Sequence, residues 1–365
     1  MKKTIFYAAI ILTVIFILCY AGSVIHYTKA AMEMCYEIII PTLFPFFVCS
    51  GLLIYSGFGS VLAKAASGFM RPLFNVAPSG AAAFVLGIIS GFPLGAVTAA
   101  QLYECGSLSK SEAERLLAFC NNSGPLFIIG SVGTAIYGKP LYGVMLYIIH
   151  IAASLLTGIA FRFYGRNRHN SPPMRLDTNE MPLTTVFATA LTNAAKNIIT
   201  VCFSIIFFSA ICRAALDTLP VSPALYAIIS GICEFSTGTL RVSLLDYGIY
   251  EKLIITAFIL GFSGICVHIQ VMAATVGSGL SLMPYILGKC LHGTIAAALT
   301  AAALLFMPIS TPVFSGCRYI LSASCAVIPL LIAASAAFTF LLFLIRRLTA
   351  MRTSRRLFHV NSDDK

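Results

Sequence analysis

Charge is scarce in this chain. Of its 365 residues only 10% are Asp, Glu, Lys or Arg, 59% are hydrophobic, and the mean hydropathy is +0.92. One soluble core could not hide that much apolar surface, so a water-soluble globular domain is excluded and a bilayer is the natural solvent. Catalytic signatures are missing as well: there is no HExxH, no GxSxG, no P-loop and no pair of carboxylates at useful spacing. No enzyme is expected, and without an ATP-binding motif any active transport would draw on a gradient or a partner. The twelve cysteines contain no CxxC, and the closest pair, Cys317 and Cys325, is eight residues apart. That spacing suits neither a zinc site nor a redox pair. Cys19, Cys49, Cys202, Cys212 and Cys266 fall in apolar runs, where cysteine acts as a small hydrophobe, so no metal or other cofactor is expected.

The net charge of +11 does not call for nucleic acid once its location is considered. Arg162, Arg166, Arg168 and Arg175 share one inter-helix loop, and Arg346, Arg347, Arg352, Arg355 and Arg356 follow the last apolar run. Clusters that flank spans with little aromatic interleaving follow the positive-inside rule, which puts both termini and the 162–184 loop in the cytoplasm.

The expected fold is an all-α polytopic membrane protein with about eight transmembrane helices and two re-entrant helical hairpins in an inverted repeat. Segment 4–25, within an N-terminal unit 1–28, resembles a signal peptide but is long enough to span and is read as a retained first helix. Segment 36–56 crosses next, kinked by Pro41 and Pro45, and 57–79 is a cytoplasmic connector. Segment 80–103 carries Gly91-Phe92-Pro93-Leu94-Gly95 at its centre. Its two apolar halves of about ten residues are each too short to span, so it reads as a hairpin. A charged stretch, 104–115, returns to the cytoplasmic side, then 116–137 crosses with an interruption at Asn121 to Pro125, and 141–161 crosses back. The second unit, 185–307, repeats the plan: a crossing at 185–215, a hairpin at 224–245, a broken crossing at 253–275 and another crossing at 290–307. A last helix at 320–345 precedes a basic tail, 346–365.

Four Ser-Gly dipeptides mark the duplication. Ser90-Gly91 and Ser123-Gly124 are 33 residues apart, as are Ser230-Gly231 and Ser263-Gly264, and the two sets are offset by 140. Duplicated interruptions of apolar segments are the best sequence pointer to a transporter's binding site. Each unit, 36–161 and 185–307, makes an odd number of crossings, which makes the duplication inverted. By this topology about 17 of the 24 Lys and Arg residues face the cytoplasm.

The candidate substrate-binding residues lie at the interruptions. Ser90, Gly91, Pro93 and Gly95 form the first tip, where glycine allows tight reversal and proline stops the helix. Asn121, Asn122, Ser123 and Gly124 supply amide and hydroxyl groups at the first helix break. Glu234 is costly at membrane depth and needs a partner or a purpose. Coupling-cation binding, proton carriage, substrate contact and pairing with Arg241 all remain open for it. Ser236, Thr237 and Gly238 complete the second tip, and Ser263, Gly264, His268 and Gln270 the second break. His150 and His292 stand at nearly equivalent repeat positions and read as packing residues. Half-helix N-termini concentrate positive partial charge, so a small anionic or highly polar substrate is the expected occupant. The coupling ion is not legible, and a homo-oligomer is compatible with everything above.

The motifs LFPFF (43–47), ISGFPLGA (89–96), SEAERLLAFCNNSGPLFIIGSVG (111–133) and CEFSTG (233–238) resemble those of the sporulation integral membrane protein YlbJ family, also called SpoVV. The resemblance extends over most of the chain. It implies kinship with gate or nucleoside-recognition domain proteins and, more distantly, with concentrative nucleoside transporters, in which two hairpins and two unwound helices hold the substrate. It also implies a role in endospore formation, moving dipicolinic acid across the outer forespore membrane. Alternative expectations are a carrier of a nucleoside or other small metabolite, and a non-transporting scaffold for spore-envelope assembly.

Overall fold

A computed structural model of the protein describes residues 2–56, 61, 64–65, 68–165 and 182–306. The helix expected at 320–345, the basic tail and Arg166, Arg168 and Arg175 lie outside the described residues. Every regular element among the described residues is helical. Pro140–Phe161, Leu183–Leu216, Ile249–Ala274 and Met283–Phe306 are each long and apolar enough to cross a bilayer. The bent pair Tyr7–Cys19 and Ala21–Ile39 makes a fifth if counted as one span. The protein is therefore an all-α polytopic membrane protein, with four or five such helices among the described residues. The remaining expected crossings are short or broken: 116–137 is two half-length pieces, and 36–56 begins as a π-turn.

The first unit starts with α1 (Lys2–Cys19) and α2 (Ala21–Met34), then a π-turn (Cys35–Ile39) leading into α3 (Ile40–Tyr55). One uninterrupted helix over 4–25 is not what forms: the chain bends by 94° after Cys19. Gly22 and Ser23 follow at once, the kind of pair at which helices kink. The hairpin is α4 (Gly80–Ser90) and α5 (Leu94–Glu104). Helix α6 (Lys110–Cys120), a π-helical segment (Leu126–Ile136) and α7 (Pro140–Phe161) follow. The second unit runs in the same order: α8 (Leu183–Leu216), the hairpin α9 (Pro223–Cys233) and α10 (Phe235–Ser243), the broken pair α11 (Ile249–Phe262) and α12 (Gly264–Ala274), and α13 (Met283–Phe306).

The two units meet at two aromatic contacts: the His150 and His292 rings are 4.4 Å apart, and those of Phe92 and Phe235, on the two hairpin tips, 5.6 Å. Helix α11 is the innermost element: every residue from Leu253 to Phe262 is buried. Its Gly261 lies so close to Gly293 of α13 that a Cβ there would come within 2.6 Å of the Gly293 Cα. By contrast α7 and α8 leave aliphatic and aromatic side chains such as Ile148, Leu156, Phe187, Phe203 and Phe207 exposed, as lipid-facing surfaces do.

The charged first half of α6 is folded inward. Ser109 and Glu112 form a capping box, and Glu112 Oε1 accepts from the Ala77 amide at 3.0 Å. Arg115 donates to the carbonyls of Tyr164 and Asn75 at 2.6 and 2.7 Å, while Glu114 accepts from the Ser281 amide and the Tyr164 hydroxyl. These charges are buried yet hydrogen-bonded, and they tie α6 to the start of α4, the end of α7 and the approach to α13. The end of α6 is gripped by the first hairpin, for Gly87 and Gly95 both press on the Cys120 carbonyl, where any Cβ would overlap it. Gly87→Ala or Gly95→Ala is expected to cost about 1–3 kcal/mol through overpacking. Thermal unfolding in detergent checks this, with Gly130→Ala, whose Cβ meets only ordinary contacts at 3.6 Å, expected to melt with the parent.

Candidate functional site

The four Ser-Gly markers pair within each unit. Gly91 has φ +81°, a conformation that favours glycine, and a Cβ on it would come within 2.8 Å of the Gly124 amide nitrogen. Gly264 has φ +73°, and a Cβ there would meet the Phe235 amide nitrogen at 3.0 Å and the Gly231 carbonyl at 3.3 Å. Each hairpin tip thus rests on the break of its own unit's helix, backbone to backbone. Ser263 shares the left-handed conformation at φ +74°, which for a residue with a Cβ costs on the order of 1–3 kcal/mol. Its hydroxyl donates to the carbonyls of Leu260 and Gly261, which the break leaves open.

Between the tips lies a crevice of about 30 Å³, lined on its polar side by Ser90, Gly91, Ser123, Gly124 and Gln270. Phe92, Phe127 and Phe235 form an aromatic wall, and Ile39, Leu43, Val201 and Ile205 bring α3 and α8 against it. That volume holds about two water molecules. Two lining residues keep buried polar atoms without a hydrogen-bond partner, Ser90 Oγ and Gln270 Oε1, and so do Asn121, at both side-chain heteroatoms, and Asn122, at Oδ1, at the adjoining helix break. Native proteins rarely leave such groups unspent, least of all where lipid offers no water.

The other expected residues have protein partners. Asn122 donates through Nδ2 to the Phe119 carbonyl at 2.9 Å and to Ser154 Oγ at 3.2 Å, closing the end of α6. The Ser123 amide donates to His150 Nε2 at 3.2 Å. Glu234 is the one-residue turn of the second hairpin and the N-cap of α10. Its Oε1 accepts from the Ser236 amide and hydroxyl at 2.9 and 2.6 Å, and its Oε2 from the Thr237 amide at 2.7 Å. A carboxylate at a helix N-terminus is well placed. Arg241 is not its partner and lies over the Tyr226 ring instead. Thr237 also bonds Ser209 of α8, and His268 Nδ1 meets the Gly264 carbonyl at 2.7 Å, with its ring between Phe262 and Tyr285. Gly95 and Gly238 serve helix contact, the latter against Gly231, and Pro93 begins α5 as its N-cap.

One residue escaped the sequence reading. Lys289, placed just before an apolar run taken to start at 290, lies inside α13 and is fully buried. Its ammonium donates to the Asn121 carbonyl at 2.9 Å and approaches His292 Nδ1 at 3.3 Å. The signal was a lysine three residues before a histidine in MPYILGKCLHGTIAAAL, a segment otherwise able to span. Glu234→Ala removes three hydrogen bonds to a charged group and is expected to cost about 2–4 kcal/mol, with Glu234→Gln retaining roughly half of that. Unfolding of the three proteins in detergent measures it; an alanine variant as stable as the parent would refute the capping role.

No protein-family model matches the chain, and no solved structure matches it. The sporulation integral membrane protein YlbJ of Bacillus subtilis (strain 168) is 30% identical over 321 aligned residues, covering 78% of each chain. With that identity over so much of both chains, and with a helical membrane fold in hand, this protein belongs to the family of the sporulation integral membrane protein YlbJ.

Proposed function

We propose that the protein is a carrier that moves a small anionic metabolite, dipicolinic acid, across the outer forespore membrane by alternating access. The observation that carries this reading is the crevice between the paired breaks. There, unspent polar atoms of Ser90 and Gln270 line the cavity at membrane depth, with those of Asn121 and Asn122 at the helix break beside it. Such groups are costly unless a polar solute completes their hydrogen bonds. The unspent donors that a carboxylate can use are the Ser90 hydroxyl and the Asn121 Nδ2. A planar solute suits the aromatic wall of the slot.

At about 30 Å³ the crevice is too small for a planar dicarboxylate, so the carrier reading requires the tips to part. The Phe92–Phe235 contact is the seam along which they would do so. The short hairpin helices, each of 9–11 residues, can move as units, while α7, α11 and α13 remain packed as a scaffold. Membership of a sporulation membrane family supports the setting, and both termini then face the mother-cell cytoplasm. The family's dipicolinate link, rather than any residue here, supplies the identity of the cargo.

Uptake of labelled dipicolinate into vesicles containing this chain alone tests the reading. The parent is expected to accumulate it, and Asn121→Ala, which deletes two unspent polar groups at the first helix break, to reduce uptake about tenfold at equal membrane insertion. No uptake by a well-folded parent would overturn the carrier reading. Support of spore formation by Asn121→Ala, with failure on changing an exposed loop, would favour a scaffold.

A further inference from the structure

Lys289 has three N–H donors to place and no acceptor. One goes to the Asn121 carbonyl at the C-terminal end of α6 and one to His292 Nδ1. The tautomer of His292 follows from its other nitrogen. Nε2 lies 3.0 Å from the His150 carbonyl oxygen, which can only accept, so Nε2 carries the proton and Nδ1 is the acceptor. The Phe92 ring covers the remaining side of the ammonium, with its centroid 5.4 Å from Nζ. Phe92 is at the same time a wall of the crevice, so one aromatic ring touches both the cavity and the cation.

No carboxylate contacts Lys289 among the described residues, and those of Glu234 are taken up by Ser236 and Thr237. The carbonyl end of α6 supplies only partial negative charge. A cation held at membrane depth by neutral dipoles is an incomplete arrangement, and an arriving anion would complete it. Asn121, whose carbonyl holds the ammonium, also has an unspent side-chain amide donor, so charge and hydrogen bonding converge at one residue.

We infer that Lys289 is the fixed positive charge of the substrate site, covered by Phe92 in this conformation and reached by a carboxylate when the first hairpin tip swings away. The inference rests on the carrier reading and adds its charge selectivity: the site prefers a dicarboxylate to a monocarboxylate because one carboxylate can sit on Lys289 while the other takes the unspent donors, the Ser90 hydroxyl and the Asn121 amide. It also gives the hairpin movement a direction, since uncovering Lys289 separates Phe92 from Phe235.

The test compares uptake of dipicolinate and of picolinate, its monocarboxylate relative, by the parent, Lys289→Met and Lys289→Arg in vesicles. The parent is expected to favour dipicolinate. Lys289→Met should lose dipicolinate uptake by about tenfold or more and lose the preference, with Lys289→Arg keeping part of both. An unchanged ratio in Lys289→Met would overturn the inference while leaving the carrier reading standing. If the parent carries neither compound, the carrier reading fails, and binding decides the role of Lys289 separately. Thermal stabilisation of the purified protein by dipicolinate that Lys289→Met abolishes supports it, and stabilisation that survives overturns it. Should Lys289→Met not insert, amine modification of the parent replaces it: protection of Lys289 by dipicolinate supports the inference, and labelling indifferent to dipicolinate rejects it.

Discussion

A helix interrupted inside a bilayer frees backbone N–H and C=O groups that lipid cannot satisfy, and the protein must supply what water does not. Much of this molecule follows from that constraint. Each break is covered by a hairpin tip, Gly91 on Gly124 in one unit and the Gly231–Phe235 turn on Gly264 in the other, at separations that tolerate no side chain. Close approach fixes where the hairpins sit, and their position brings Phe92 against Phe235. The hairpin helices can be short because they need only reach the break and return.

The backbone plan is duplicated, but the chemistry is not. In the second unit the tip is self-sufficient: Glu234 accepts from the first amides of α10, and Ser236 and Thr237 use up both carboxylate oxygens. In the first unit Ser90 and Asn121 are unspent and the Asn121 carbonyl meets Lys289 from α13, while Ser230 and Gln270 are unspent in the second. The units differ in charge: at the second tip a carboxylate closes on its own helix, and at the first break a lysine ammonium is held by a backbone carbonyl.

Local physics places several helix ends. Gly80–Ser90 stops and Leu94–Glu104 starts about Gly91 and Pro93, which interrupt an apolar stretch, and Ile249–Phe262 gives way to Gly264–Ala274 at Ser263. The sequence was misread where a partner distant in sequence decides. The first helix ends at Cys19 instead of continuing to residue 25, and the turned piece, α2, packs on α8. Glu112, Glu114 and Arg115, which composition assigns to an aqueous surface, are buried because Ala77, Tyr164, Asn75 and Ser281 supply their partners. Lys289 was overlooked because a charged residue at the edge of an apolar run looks like its boundary.

Hydropathy, the two hairpins and the repeated Ser-Gly pairs therefore belong to the sequence by itself, since each depends on properties of neighbouring residues: apolar length, helix-breaking residues and spacing. Which polar groups are spent and which remain available was decided only by the tertiary structure. Glu234 and Asn121 are both polar residues at a break, and nothing local distinguishes them. The carboxylate finds its donors two and three residues away, whereas the amide lies beside a lysine 168 positions further along the chain with its own hydrogen bonds unmade. Hydrogen bonding is settled by geometry between elements, and that geometry exists only once the two units have packed.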